Sequence, residues 1–275
     1  MTAVNSMDYS GKDTVLDVIR KESIEFFKIV DDPKNWNVQT RCTEWEVRDM
    51  VGHMIDVTEG YLTRWDSARK KEPRDTAGLL VMSHDLNEHA QAFRTLPREE
   101  AISRLKADFN KMMDIFEKLT PEEWGNFLVM HPFMGQLPTL FYPAFHVMDY
   151  GVHTLDMRWG MGDKNRKLDE RTAGVLVPYM LFALLPSTVD AKSAEGVDVE
   201  YGIEVSGEWG GKWRATLKDG KFEAKPETDN FEGCKAVFTF DPSDFVLTAF
   251  QRFDGGTTRG DQETIDKVRH LFFRI

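Results

Sequence analysis

The sequence predicts an N-terminal helical bundle followed by a smaller α+β domain with a mostly antiparallel sheet. Three observations predict it. First, up to about residue 190 apolar residues recur at spacings of three and four, the period of a helix with one buried face. Second, after Pro186 the pattern changes to apolar–polar alternation, broken by Gly207, Gly210-Gly211 and Asp219-Gly220, which are hairpin signals. Third, the stretch between the two patterns, "STVDAKSAEG" at 187–196, is small and polar, as a linker is. The expected domains are therefore 1–190 and 191–275.

Each element has its own signal. Val15, Leu16, Ile19, Ile24, Phe26, Phe27 and Val30 form the stripe of a first helix. A second starts at Thr43, where Thr43 and Glu46 have the spacing of a capping box, and runs through "EWEVRDMVGHMIDVTEGYLTRWDSA". A third covers about 77–94 and a fourth about 98–119, where Ile102, Leu105, Phe109, Met112, Met113, Phe116 and Leu119 repeat at three and four. Thr120-Pro121 reads as an N-cap followed by proline at the first helical position. "HPFMGQLP" reads as a loop, the next helix spans roughly 139–160, and an apolar helix near 170–186 closes the first half. In the second half two hairpins precede the strand "KAVFTF". Asp241-Pro242 opens a helix to about Arg252, "FDGGTTRGD" reads as a loop, and a last helix covers about 261–273.

Composition excludes several functions. The net charge is −11 and no basic cluster exceeds "RKK" at 69–71, so a nucleic-acid partner is not expected. Two cysteines, Cys42 and Cys234, are too few for a disulfide framework or a thiolate-clad zinc, and point to a reducing compartment. The N-terminus lacks a signal-peptide pattern. The longest apolar run, 172–186, is interrupted by Pro178 and is shorter than the ~20 residues of a membrane span. A cytoplasmic protein without a membrane partner, monomeric or homodimeric, is expected.

The chemistry concentrates in "FHVMDYGVHTLDMRWG", residues 145–160. At ~100° per residue, His146, Asp149, His153 and Asp156 fall within about 80° on one helix face. Asp149 and His153, four apart, can bind one cation from a single turn or simply hydrogen-bond each other. Apolar neighbours such as Phe145, Met148, Val152 and Leu155 leave a carboxylate there in need of a partner. His53, at the edge of the Val47–Met50–Val51–Met54 stripe, is a core histidine or a third ligand from a facing helix. His84, His89 and His270 sit in polar helix stretches and read as surface residues, and His131 reads as a loop residue. Both cysteines read as structural.

These segments resemble a family. "CTEWEVRDMVGHM", with Trp45, Arg48, Asp49 and His53, looks like the second-helix signature of DinB-like bundles related to mycothiol-dependent maleylpyruvate isomerase. "DYGVHTLD" supplies Asp149, His153 and Asp156 at the spacing of the family's second motif. "FTFDPSDFVLTAFQRFDGGTTRGD" resembles its sterol-carrier-like second domain. The resemblance implies a DinB-like four-helix bundle carrying a divalent metal, usually zinc, on His53, Asp149 and His153. It implies mycothiol as a thiol co-substrate, and Arg252 as a residue for an anionic substrate or thiol. Two positions depart from the pattern: Asp149 stands where the family typically has Glu, and His146 where an Arg is common. His146 is a further ligand, a general base or a packing residue, and Asp156 can orient His153. The function expected from the resemblance is a metal-dependent, thiol-using S-transferase or cis–trans isomerase on a small electrophile. The alternatives are a non-catalytic small-molecule binder, and a hydrolase whose metal activates water.

Overall fold

The computed structural model describes residues 5–165 and 167–274, the side chains of residues 83 and 84 excepted. Two compact units make up the chain, one spanning Ser6–Leu168 and the other beginning at Asp169.

The first unit is built on four long helices: α1 (Lys12–Asp31), α2 (Val47–Lys70), α4 (Arg98–Lys118) and α6 (Phe141–Gly160), with α3 (Leu79–Ala92) laid against α2 and the short α5 (Pro121–Asn126) after α4. α1 packs mainly on α6, and α2 on α4. The apolar stripes read from the sequence become the core, except that Ile24 of α1 faces outward, 62% exposed: Val15, Ile19, Phe26 and Val30 of α1 and Met50, Val51, Met54 and Ile55 of α2 are almost wholly buried. Thr120 caps α5 as expected, accepting from the Glu123 backbone N–H at 3.2 Å.

Two expectations for this unit change. α2 begins at Val47, not Thr43. Glu46 is its N-cap residue, and the box is closed by Asp49, which accepts from the Glu46 backbone N–H at 2.8 Å. Residues 42–45 form a turn closed by a bond from Trp45 N–H to the Cys42 carbonyl. Asp49 is fully buried and grips Arg94 through two bonds of 2.7 Å, tying the start of α2 to the end of α3. Asp49→Ala removes both that pair and the cap, so we expect a loss of about 2–4 kcal/mol in urea unfolding. A loss under about 0.5 kcal/mol would show that the pair is solvent-screened.

The second change is that "HPFMGQLP" is not a loop. It belongs to a hairpin of β1 (Leu128–His131) and β2 (Gly135–Pro138), with His131 opposite Gly135. Gly135 adopts φ 79°, the left-handed region that glycine enters without cost. His131 closes the turn itself: its Nδ1 accepts from the Phe133 and Met134 backbone N–H groups, both at 3.1 Å.

Two glycines set close approaches. A Cβ at Gly52 would lie 2.2 Å from the Ala90 carbonyl oxygen, so α2 meets α3 backbone to backbone one residue before His53. A Cβ at Gly160 would lie 1.9 Å from the Gln39 carbonyl oxygen. Gly160, expected only as a helix stop, thus also lets the end of α6 press on the 39–42 segment.

The second unit holds α7 (Glu170–Tyr179), a π-helical turn at Met180–Leu184, the single-turn α8 (Leu185–Ser187) and a five-stranded sheet. Its strands are β3 (Val199–Val205), β4 (Gly211–Lys218), β5 (Lys221–Pro226), β6 (Ala236–Phe240) and β7 (Thr257–Gly260), in the order β5-β4-β3-β6-β7. β3 and β6 run parallel and the other pairs are antiparallel. The β4–β5 turn is made by Asp219 and Gly220, at φ 51° and 72°, as the Asp-Gly pair predicts. α9 (Pro242–Ala249) is capped by Asp241, and α10 (Gln262–Arg269) by Asp261.

The apolar helix at 170–186 groups with this sheet, because α7 packs on α9 and Trp209 lies against Gly174. α9 stops at Ala249, short of Arg252. Within "FDGGTTRGD", Thr257–Gly260 forms the edge strand β7 on β6. The glycines there mask two β-branched threonines, which favour a strand. No helix among the described residues is long and apolar enough to cross a membrane.

Candidate metal centre

α2 and α6 bring the predicted residues together. One ligand atom from each of His53, Asp149 and His153 lies within 4.8 Å of the other two. The rings of His53 and His153 meet edge to face, 5.0 Å between centroids, and His53 Nε2 is 4.0 Å from Asp149 Oδ1. The histidine rings are buried, while 20% of the Asp149 side chain is exposed.

The Asp149 carboxylate accepts no hydrogen bond from any described residue, and burial pushes its pKa up to about 6. An acid in low dielectric, between two imidazoles and without a donor, has the electrostatics of a cation site. Two nitrogens and one oxygen suit a borderline divalent ion such as zinc, and three protein ligands leave a position for another group. The donor set therefore fits the ion that the sequence suggests.

The surroundings orient the ligands. His153 Nδ1 lies 3.4 Å from Asp156 Oδ2. A proton on Nδ1, donated to that carboxylate, leaves the Nε2 lone pair for a ligand. Asp156 is itself fully buried and meets the Cys42 thiol at 3.6 Å. Cys42, His153 and Asp156 form a second close group. No local signal places Cys42 here, since its partners come from α6. Trp45 covers the site: its ring lies 4.9 Å from His53 and 5.9 Å from His153, centroid to centroid. Its indole N–H donates to Asn87 Oδ1 of α3 at 2.8 Å. Asn87 had no sequence signal, because a single amide on a polar helix looks solvated.

His146 is not among the three grouped ligands. It is buried against Phe116, Tyr61 and Tyr150, with ring centroids at 5.1, 6.0 and 6.1 Å. Its Nδ1 donates to the Tyr142 carbonyl at 3.3 Å, and its Nε2 has no partner among the described residues. Burial lowers its pKa to about 4, so the ring is neutral at pH 7. His131 is also buried, its pKa lowered to about 3 by desolvation. With Nδ1 accepting two amide protons, its proton sits on Nε2 and points to the Tyr61 oxygen at 3.2 Å. His89 and His270 are exposed as expected, and the side chain of His84 lies outside the described residues. Arg252 is half-buried in the second unit, just past α9, its backbone N–H bonded to the Leu247 carbonyl.

The helical bundle and its family match make this a DinB-like protein of the maleylpyruvate isomerase type. Residues 19–158 match the mycothiol maleylpyruvate isomerase N-terminal domain family, and the chain belongs to it. Among solved structures it is similar to the mycothiol-dependent maleylpyruvate isomerase and to a point mutant of that protein. Identity is 13% in both, over 91% of this chain and 94% of theirs, with TM-scores of 0.57 and 0.58. At that identity the likeness is one of fold. No curated protein matches the chain.

Proposed function

We propose that this protein is a zinc-dependent enzyme that uses a low-molecular-weight thiol, mycothiol, to transform a small electrophile by S-transfer or cis–trans isomerisation. The observation that carries the reading is the convergence of His53, Asp149 and His153 around a carboxylate with no hydrogen-bond donor. Family membership supports the thiol.

Bound to these three side chains, a divalent ion supplies Lewis acidity that lowers a thiol's pKa and yields a thiolate at neutral pH. The chain's own residues do the rest. His53 and His153 present neutral nitrogens, and Asp149 supplies the negative charge. Asp156 holds the His153 proton on Nδ1. Trp45 covers the two imidazoles and limits water around them. His146 offers an unprotonated Nε2 as an acceptor for the thiol or substrate. The thiolate's electron pair forms a C–S bond as the π bond of an activated alkene opens. Rotation and expulsion of the same thiolate restore the alkene as its isomer, whereas retention of the sulfur gives the S-adduct, with a proton taken up at carbon.

The test is turnover of maleylpyruvate and related activated alkenes by zinc-loaded protein, with and without mycothiol. Turnover that needs the thiol supports the reading. Equal turnover without thiol would favour activation of water, and no turnover by protein that carries no stoichiometric metal would leave a binding protein.

Asp156→Asn adds a test of the outer partner. It preserves shape but weakens the hold on the His153 proton, so zinc affinity should fall about 10–100-fold with little change in fold. Unchanged affinity by competition with a chromogenic chelator would remove Asp156 from the site.

A further inference from the structure

The second unit contains a cavity of about 520 Å³ that no feature of the metal centre uses. The parallel pair of β3 and β6 builds its floor. The register sets Ile203 beside Phe238, and the two-residue period puts Tyr201, Ile203, Phe238 and Phe240 on one face. Phe238 and Phe240 stack with planes 8° apart, Tyr201 meets Phe238 edge to face, and Phe245 of α9 and Phe272 of the C-terminal segment complete the aromatic wall. The wall is nearly dry: Tyr201, Ile203, Phe238, Phe240 and Phe245 are each at most 8% exposed. Void of this size, walled by packed rings, falls in the range of small-molecule sites, and apolar cavities take up apolar molecules readily.

The polar groups define the occupant. At the cavity's edge Arg269 pairs with Asp254 at 3.5 Å, and His270 Nδ1 donates to the Asp266 carbonyl. Gln251 donates to the Phe272 carbonyl at 2.7 Å, and Thr248 Oγ1 accepts from the Gly255 N–H. Each of these polar side chains has a partner, the Asp266 carboxylate through the Gln262 amide at 2.8 Å, and the rim's one net negative charge disfavours an anion. Tyr201 is the exception. It is 2% exposed, lines the cavity, and its hydroxyl hydrogen-bonds to no described residue. Burial raises its pKa, so it keeps its proton and can donate. A hydroxyl without a protein partner on an apolar wall is free to donate to a bound group that accepts from it.

We propose that this cavity binds an uncharged polycyclic aromatic molecule bearing one hydrogen-bond acceptor, with its rings among Phe238, Phe240, Phe245 and Phe272 and its acceptor on the Tyr201 hydroxyl. The site lies wholly within the second unit and does not depend on the metal reading.

The test uses the full-length chain and prodan, a fluorescent naphthalene ketone whose emission shifts to the blue in apolar surroundings. Saturable, stoichiometric binding with a blue shift is expected. Tyr201→Phe should weaken it about fivefold, the worth of one net hydrogen bond. Ala249→Trp, which fills the cavity from α9, should abolish it while near-ultraviolet circular dichroism stays native. If that variant loses its native spectrum, Ala249→Phe takes its place. Absence of saturable binding to the wild type, or wild-type affinity in a folded cavity-filled variant, would overturn the proposal. Unchanged affinity in Tyr201→Phe would overturn the hydroxyl's role. Displacement of prodan by 1-decanol as readily as by 2-acetonaphthone would overturn the aromatic assignment.

Discussion

His53→Ala is expected to lower zinc affinity about 10²–10³-fold and to remove thiol-dependent turnover. The magnitude follows from the ~10–16 kcal/mol that four-ligand zinc sites contribute, of which one ligand is roughly a quarter. The loss should be that of a ligand rather than of the fold. His53 lies at the edge of the α2 stripe, while the residues that hold the bundle there, Met50, Val51, Met54 and Ile55, stay in place. The cavity left between Trp45 and His153 would cost about 1–3 kcal/mol at most. Metal analysis of purified protein, chelator competition and circular dichroism read the three quantities separately. Stoichiometric zinc in His53→Ala, bound as tightly as in the wild type, would dismiss the proposed ligand set.

The second large effect concerns acid. In metal-free protein, His131 and His146 titrate near pH 3 and 4, both below the ordinary 6.5, because burial opposes their charge. Through that window the unfolded chain binds two more protons than the folded one, which destabilises the fold as pH falls. Asp149 acts in the opposite sense. Its pKa is raised to about 6 from 3.8, so between those values the folded chain holds the extra proton. These three groups together differ by about one proton, so they lower stability by about 1.4 kcal/mol per pH unit between roughly pH 5.5 and 4.5. His146→Leu removes one of the two histidines and should reduce the slope by about 1.4 kcal/mol per pH unit. At pH 7 it should cost under about 1 kcal/mol, since it deletes a buried Nε2 that has no partner. Guanidinium titrations of both proteins at several pH values decide the matter, and parallel slopes would contradict it. In the same variant, loss of turnover with zinc content intact would identify His146 as a substrate or thiol contact.

Much of this was legible because helices advertise themselves. α1, α2, α4 and α6 each carry an apolar stripe at the helical period, and Thr120, Asp241 and Asp261 mark helix starts by chemistry that acts within three residues. The Asp149–His153 pair was visible for the same reason: spacing on one helix fixes direction. Contacts between helices leave no such trace. Asn87 reaches Trp45, and Cys42 reaches Asp156, only because α3 and α6 close on the 39–46 segment. Short strands were hidden by their punctuation. In β1–β2 the proline and glycine that make the turn look like a loop, and nothing local shows that His131 will cap it with its own side chain. Thr43 fitted a capping pattern, but the turn at Cys42–Trp45 takes it out of the helix, and Asp49 does the work one step later.

The contact at Gly52 carries a consequence for how this scaffold can diversify. With Ala90 seated directly on it, α3 bears on α2 as a shaft bears on its journal, with no side chain to act as a spacer. The wall of the metal centre formed by His53, Trp45 and Asn87 is thereby held at a fixed clearance. Variation in the shape of the site must come from the opposite wall, from α6, which carries His146 and Asp149. A library aimed at reshaping the site should randomise that wall and leave the α2–α3 seam untouched.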